Sequence, residues 1–306
     1  MTLPTVDAIS LADLQKKLDA KSILLVDVLP PEHYAARRIP GAVNACVYEM
    51  TFQKTMAELA PAKDAAVVLY GAGPDSQDSI AAADKLGREG YTALSVFHGG
   101  LTEWRDNDLP LEGDAADVVE PPHPVLDLGE KTYKLVYGES MIKWTGRNNN
   151  GGHVGTLSLS AGEMHCQDDI NAEFTIDMTS IKDVDLEGTE LQPVLETHLK
   201  SDDFFFTKLF PKAEFKTTQV KLVENAEATR PNAMVQGELS LRGMTNEIAF
   251  PAHIRNIDDG KIALLANLDF DRTQWGVIYG SSRFFQHLSY HVVYDFISVD
   301  LRIVLK

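Results

Sequence analysis

Met234-Val235-Gln236-Gly237-Glu238-Leu239-Ser240-Leu241 changes side-chain character at every second residue. Successive side chains on a strand point to opposite faces. This stretch therefore lays one face on an apolar interior and the other in water. The same period runs through Thr156-Leu157-Ser158-Leu159-Ser160, Phe174-Thr175-Ile176-Asp177-Met178 and Asp295-Phe296-Ile297-Ser298-Val299-Asp300-Leu301-Arg302-Ile303. About eight such segments in the C-terminal half predict an antiparallel sandwich or closed barrel over residues 127–306. Alternation alone does not say which phase faces inward. One stretch breaks the period: Leu191–Phe206 reads as helical and ends in Phe204-Phe205-Phe206.

Upstream the texture differs. Ile23-Leu24-Leu25-Val26-Asp27-Val28 and Ala65-Ala66-Val67-Val68-Leu69-Tyr70 are continuous apolar runs of strand length. Such runs fit strands buried on both faces of a parallel sheet. Leu11, Leu14 and Leu18 recur at helical spacing behind a capping Ser10, and a second helix is expected behind Ser79, ending at Gly90. Residues 1–111 therefore read as an α/β domain. Residues 112–126 are acidic and contain Pro121, Pro122 and Pro124, which predicts an extended linker.

The chain has 306 residues, 44% hydrophobic and 24% charged, enough apolar material for two cores. Its net charge is −17, divided as −8 over residues 1–117 and −9 over residues 118–306. Neither half has the basic footprint of a nucleic-acid binder, and no nucleic-acid partner is expected. No apolar run reaches the length of a transmembrane helix. Met1-Thr2-Leu3-Pro4-Thr5-Val6-Asp7 lacks the basic and apolar regions of a secretory signal. The two cysteines, Cys46 and Cys166, cannot build a disulfide framework, and reduced thiols in a cytoplasm are expected. Cys46 reads as a small buried hydrophobe. Cys166, in a Glu-Met-His-Cys-Gln-Asp-Asp stretch, is expected in a turn with its thiol exposed.

The order Leu25-Val26-Asp27-Val28, Ile39-Pro40-Gly41-Ala42-Val43-Asn44, an apolar strand to Tyr70, then Gly99-Gly100-Leu101-Thr102-Glu103-Trp104 resembles the rhodanese-like sulfurtransferase domain. The resemblance implies a cysteine in the loop after the central strand, where backbone N–H groups form a nest around its sulfur. That loop is Tyr70-Gly71-Ala72-Gly73-Pro74-Asp75-Ser76-Gln77-Asp78-Ser79 here. Depending on register, the cysteine position falls on Gly71, Gly73 or Ser76, and none supplies a thiol. Neither Ser76 nor Ser79 replaces one, because a hydroxyl oxygen cannot carry sulfane sulfur. A degenerate, non-catalytic domain for docking or dimerisation is expected.

The C-terminal half resembles the YceI-like family through Trp144-Thr145-Gly146-Arg147, Gly152-His153-Val154-Gly155-Thr156, Leu199-Lys200-Ser201-Asp202-Asp203-Phe204-Phe205, Phe210-Pro211 and Asp271-Arg272-Thr273-Gln274-Trp275-Gly276. The resemblance implies a lipocalin-like β-barrel holding a polyisoprenoid, quinone-type or fatty chain, with no other cofactor. A barrel of this kind needs inward apolar side chains rather than a catalytic group. Candidate lining residues are Trp144, Met178, Phe204, Phe205, Phe206, Met234, Trp275, Tyr279, Phe284 and Phe285. His153, His198, His287 and His291 read as structural histidines, and no metal site is expected. The run after His291 reads as strand, and Asp271-Arg272 reads as an ion pair at a strand end. Two alternatives stay open: a sulfurtransferase-related enzyme with a non-standard nucleophile, and an interaction protein whose barrel is filled by its own side chains.

Overall fold

The computed structural model describes residues 6–119, 121, 123 and 125–306. Met1–Thr5, where the expected absence of a signal begins, and Glu120, Pro122 and Pro124 of the expected linker lie outside them. The chain divides into two compact units, residues 1–120 and 121–306.

The first unit is a parallel sheet covered by helices. Its strands are β1 (Asp7–Ala8), β2 (Leu24–Asp27), β3 (Val43–Asn44), β4 (Val67–Tyr70) and β5 (Leu94–Phe97), in the order β1-β5-β4-β2-β3. Its helices are α1 (Leu11–Asp19), α2 (Pro31–Ala36), α3 (Phe52–Leu59), α4 (Asp78–Arg88) and α5 (Gly100–Asp106). The continuous apolar runs have a direct explanation. Val26, Val67, Leu69 and Val96 pack on one face with Phe52 and Met56 of α3 and Leu86 of α4. Leu25, Val68, Tyr70 and Phe97 pack on the other with Leu14 of α1 and Trp104 of α5. Both faces of β2 and β4 are interior, so neither strand shows a polar phase.

Ser10 caps α1, its hydroxyl accepting from Asp13 N–H at 3.2 Å. Ser79 does not cap α4. It lies buried in the first turn, and the helix starts one residue earlier because the Asp78 carboxylate turns back into the preceding loop. Residues 112–115 are not an extended linker. Arg38 and Glu112 exchange backbone hydrogen bonds, Asp114 N–H donates to Ala35 O, and Ala115 N–H donates to Ala36 O. Gly113, at φ +132°, makes this close approach possible, since a Cβ there would lie 2.3 Å from Ala36 O.

The second unit is an antiparallel meander that closes on itself. Its strands are β6 (Lys131–Lys134), β7 (Met141–Asn148), β8 (Gly151–Cys166), β9 (Ile170–Asp183), β10 (Lys212–Leu222), β11 (Ala233–Leu241), β12 (Met244–Ile257), β13 (Lys261–Asp271) and β14 (Phe296–Leu305). β14 pairs with β7, Val299 opposite Trp144, so β7–β14 form an eight-stranded barrel. β6 covers the far half of β8, where Tyr133 lies opposite Met164. Helix α6 (Leu191–Lys200) and the segment 272–295 cross the end of the barrel where β9 and β13 finish and β10 and β14 begin.

Three further expectations are corrected. Cys166 is not in a turn: it is the last residue of β8, and its side chain points into the barrel core. Burial there pushes its thiol above the ordinary value. The run after His291 is not strand, because Val293 and Tyr294 are drawn into backbone bonds with Gly280 and Arg147, and β14 begins only at Phe296. Asp271 and Arg272 do not form the expected ion pair. Asp271 pairs with Arg283 at 2.7 Å instead.

Candidate functional site

The loop of the first unit runs from the end of β4 into α4, and Asp78 dominates it. One carboxylate oxygen of Asp78 accepts from Ala72 N–H at 3.0 Å and from the Ser76 hydroxyl at 2.8 Å. The other accepts from Ser79 N–H at 2.6 Å. Asp78 is itself buried. A Cβ built on Gly71 would fall on this carboxylate, and one on Gly73 would meet the Thr102 side chain. Two of the loop's backbone donors, Ala72 N–H and Ser79 N–H, are thus taken by a side chain of the loop itself. Both cysteines are buried elsewhere, Cys46 between β3 and α3 and Cys166 in the barrel.

The barrel encloses a cavity of about 360 Å³. Its walls follow from strand alternation: Leu157 and Leu159 of β8, Ile176 and Met178 of β9, Leu239 and Leu241 of β11 and Val299 of β14 all face it. Glycine 155 makes room beside them, because a Cβ there would meet the Trp144 ring and Lys182 O. At the crossed end the cover is α6, through Leu195, His198 and Leu199, with Phe204, Phe205 and Tyr279. His198 meets Phe204 and Tyr279 edge-on, with ring centroids 4.9 and 4.8 Å away. Polar side chains are confined to this end: Arg147, Asn148 and His153 from the β7–β8 hairpin, and Arg272, Tyr290 and His291 from the crossing segment.

The structure brings together Trp144, Met178, Phe204, Phe205 and Tyr279 around the cavity. It does not bring the other candidates there. Met234 lies on the outward phase of β11 and is exposed, because Ala233 and Val235 take the inward phase. Phe206, in a left-handed turn at φ +47°, packs edge-on against Phe210. Trp275 is fully buried beside the cavity rather than on it, its Nε1–H donating to Leu239 O at 2.7 Å and its ring edge-on to Phe270. Phe284 and Phe285, within the crossing segment, are exposed and do not line the cavity.

Arg272 was legible only as half of an ion pair, and its position is different. It is buried, lines the cavity, and donates to the carbonyls of Val277, Tyr279, Val293 and Tyr294. Four acceptors on one segment make it the clamp that holds that segment over the barrel. Backbone carbonyls leave no trace in sequence, so nothing upstream could have shown this.

Three of the four histidines have separate partners. His153 contacts Asp185 at 3.0 Å, His198 contacts Asp203 at 3.0 Å, and His291 stacks on Tyr290. His153, Asp183 and Asp185 bring ligand-type atoms within 4.8 Å of one another, the one such group among the described residues. The buried Asp183 carboxyl is raised by burial, while Asp185, tied to Val154 N–H and His153, is lowered despite its own partial burial.

Comparison with known proteins gives two family matches. Residues 133–305 match the YceI-like domain and residues 10–107 the rhodanese-like domain. Among curated proteins, the HTH-type transcriptional regulator Rv0324 of Mycobacterium tuberculosis is 35% identical over 112 residues, 36% of this chain and 46% of the regulator. The match thus spans about half the length of that relative. Among solved structures, BcnA of Burkholderia cenocepacia is 18% identical with a TM-score of 0.44, covering 56% of this chain and 98% of BcnA. A polyisoprenoid binding domain from Saccharophagus degradans, implicated in plant cell wall breakdown, is 14% identical with a TM-score of 0.41, covering 57% of this chain and 97% of that domain.

Proposed function

We propose, from the premise that the chain belongs to the YceI-like domain family through residues 133–305, that its barrel takes up one slender apolar chain of the polyisoprenoid, quinone-type or fatty class. The observation that carries this reading is the cavity itself. About 360 Å³ of space walled by aliphatic and aromatic side chains lies inside a closed barrel, with polar groups at one end only. An apolar tail gains by leaving water for such walls, at roughly 25 cal/mol per Å² buried. A polar headgroup is accommodated where His153, Arg147 and Tyr290 gather. Trp144, Met178, Phe204, Phe205 and Tyr279 are the lining residues of this reading.

The first domain is read as a non-catalytic module for docking or self-association. The support is the loop 71–79, which holds no thiol and in which Ala72 N–H, Ser79 N–H and the Ser76 hydroxyl all donate to Asp78. No helix among the described residues is long and apolar enough to cross a membrane. The two buried, unpaired cysteines support a cytoplasmic location, and the charge of −17 supports a chain without a nucleic-acid partner.

The test is organic extraction of natively purified protein and mass spectrometry of the extract, with an unrelated protein from the same host as control. A stoichiometric apolar chain is the expected result. A blank extract, repeated after exposure to a lipid mixture, overturns the reading in favour of an interaction protein. Light scattering addresses self-association, and a monomer at micromolar concentration removes it. Thiosulfate:cyanide transfer that is lost in Cys46→Ser would reinstate an enzyme.

A further inference from the structure

We propose that an aromatic layer across the middle of the barrel, Phe174, Phe215 and Phe250, sets the length of chain the cavity accepts. The inference rests on reading the cavity as a site for an apolar chain.

A second, much smaller void of about 30 Å³ lies in the half of the barrel away from the crossing segment. The three phenylalanines, with Leu301 and Ile303, line both spaces. The cavity is therefore closed at depth by a single layer of side chains, not by the strands themselves. Phe174 and Phe215 sit opposite each other on β9 and β10, and the Phe215 and Phe250 ring centroids are 5.8 Å apart.

Two glycines seat the rings. A Cβ on Gly162 would come within 2.5 Å of the Phe174 ring, and one on Gly237 within 2.5 Å of the Phe215 ring. Neighbouring strands thus give up side-chain volume where these rings lie against them. Below the layer the lining stays apolar, with Met164, Val220 and Ile254 among it. The hydroxyl of Thr217, the polar group there, is already occupied by Ala172 N–H at 2.8 Å and Ala172 O at 3.3 Å. A chain reaching past the layer would meet more apolar wall and no unpaired polar group. What stops it is the volume of the rings.

The test offers purified, delipidated full-length protein an equimolar mixture of saturated fatty acids of graded length, and in parallel one of all-trans prenyl alcohols. Retained species are quantified by mass spectrometry. Wild type is expected to show a sharp upper length limit. Phe250→Ala is expected to move that limit upward, and Phe250→Leu to move it less. Each methylene newly buried is worth roughly a fourfold gain in affinity. A chain two carbons beyond the wild-type limit should therefore gain roughly fifteenfold. Phe250→Leu and Phe215→Leu remove less volume and keep the test open if the alanine variant does not fold, as judged by its thermal melt. Chains retained by wild type with an unchanged length limit in the folded variants overturn the ruler and leave the binding reading standing. A wild type that retains no chain from either series overturns the binding reading and the ruler with it.

Discussion

Asp27 is buried completely, with one carboxylate oxygen held by Leu29 N–H at 2.9 Å and the Tyr70 hydroxyl beside the carboxyl. Burial, offset in part by Tyr70 and Leu29, raises its carboxyl to about 6. The unfolded chain loses this proton near the ordinary carboxylate value while the folded chain keeps it. The folded state therefore binds more protons between about pH 4 and 6, and Asp27's contribution to stability falls through that window as pH rises. A shift of about two units corresponds to roughly 3 kcal/mol. Urea unfolding at pH 4 and pH 7 should show Asp27→Asn gaining up to roughly that amount on wild type across the window; parallel pH curves would contradict it. Gly71 carries a second prediction. Gly71→Cys should create no thiosulfate:cyanide transfer and should cost about 1–3 kcal/mol, because the new side chain meets the Asp78 carboxylate. Gly71→Cys combined with Asp78→Ala should recover much of that stability in a thermal melt. The missing thiol was plain in the sequence of this loop. The carboxylate in its place was not, since the turn that brings Asp78 back to Ala72 is a tertiary event.

At the scale of elements, periodicity told most where one face is wet. β11 and β14 read directly as strands, and the break at Leu191–Phe206 became α6 followed by tight turns. Phase was the missing quantity. Met234 and Val235 are both apolar, so β11 offered two inward sets, and only its pairing with β10 and β12 chose Val235. The crossing segment 272–295 was legible least, because it has almost no regular structure and depends on Arg272. Arg272→Met, similar in length but without donors, should leave its carbonyl partners unpaired and cost at least about 3 kcal/mol. Amide exchange should accelerate in residues 277–294 before it does so in β11 or β12. Uniform exchange across the barrel would mean that Arg272 is not the clamp.

Each unit has its own hydrophobic packing, on both faces of the sheet in the first and inside the barrel in the second, which predicts two calorimetric transitions. An apolar chain that binds the barrel should raise the barrel transition alone. The gain is about 2.7 kcal/mol at a free concentration one hundred times its dissociation constant. Phe205→Ala, which changes the lining, should shift that one transition and mark it as the barrel's. A ligand that moved both, or neither, would break the assignment. The sequence by itself determined the two fold classes, because a doubly buried parallel strand and a half-buried antiparallel strand need different residue patterns. It also determined that the loop 71–79 carries no thiol. Only the tertiary structure decided which phase of each strand lines the cavity, how deep the cavity runs and what closes its end. Those depend on strand register, on ring volumes seated over Gly162 and Gly237, and on carbonyls gathered by Arg272. Such relations join residues far apart in the chain, and no local pattern of side chains encodes them.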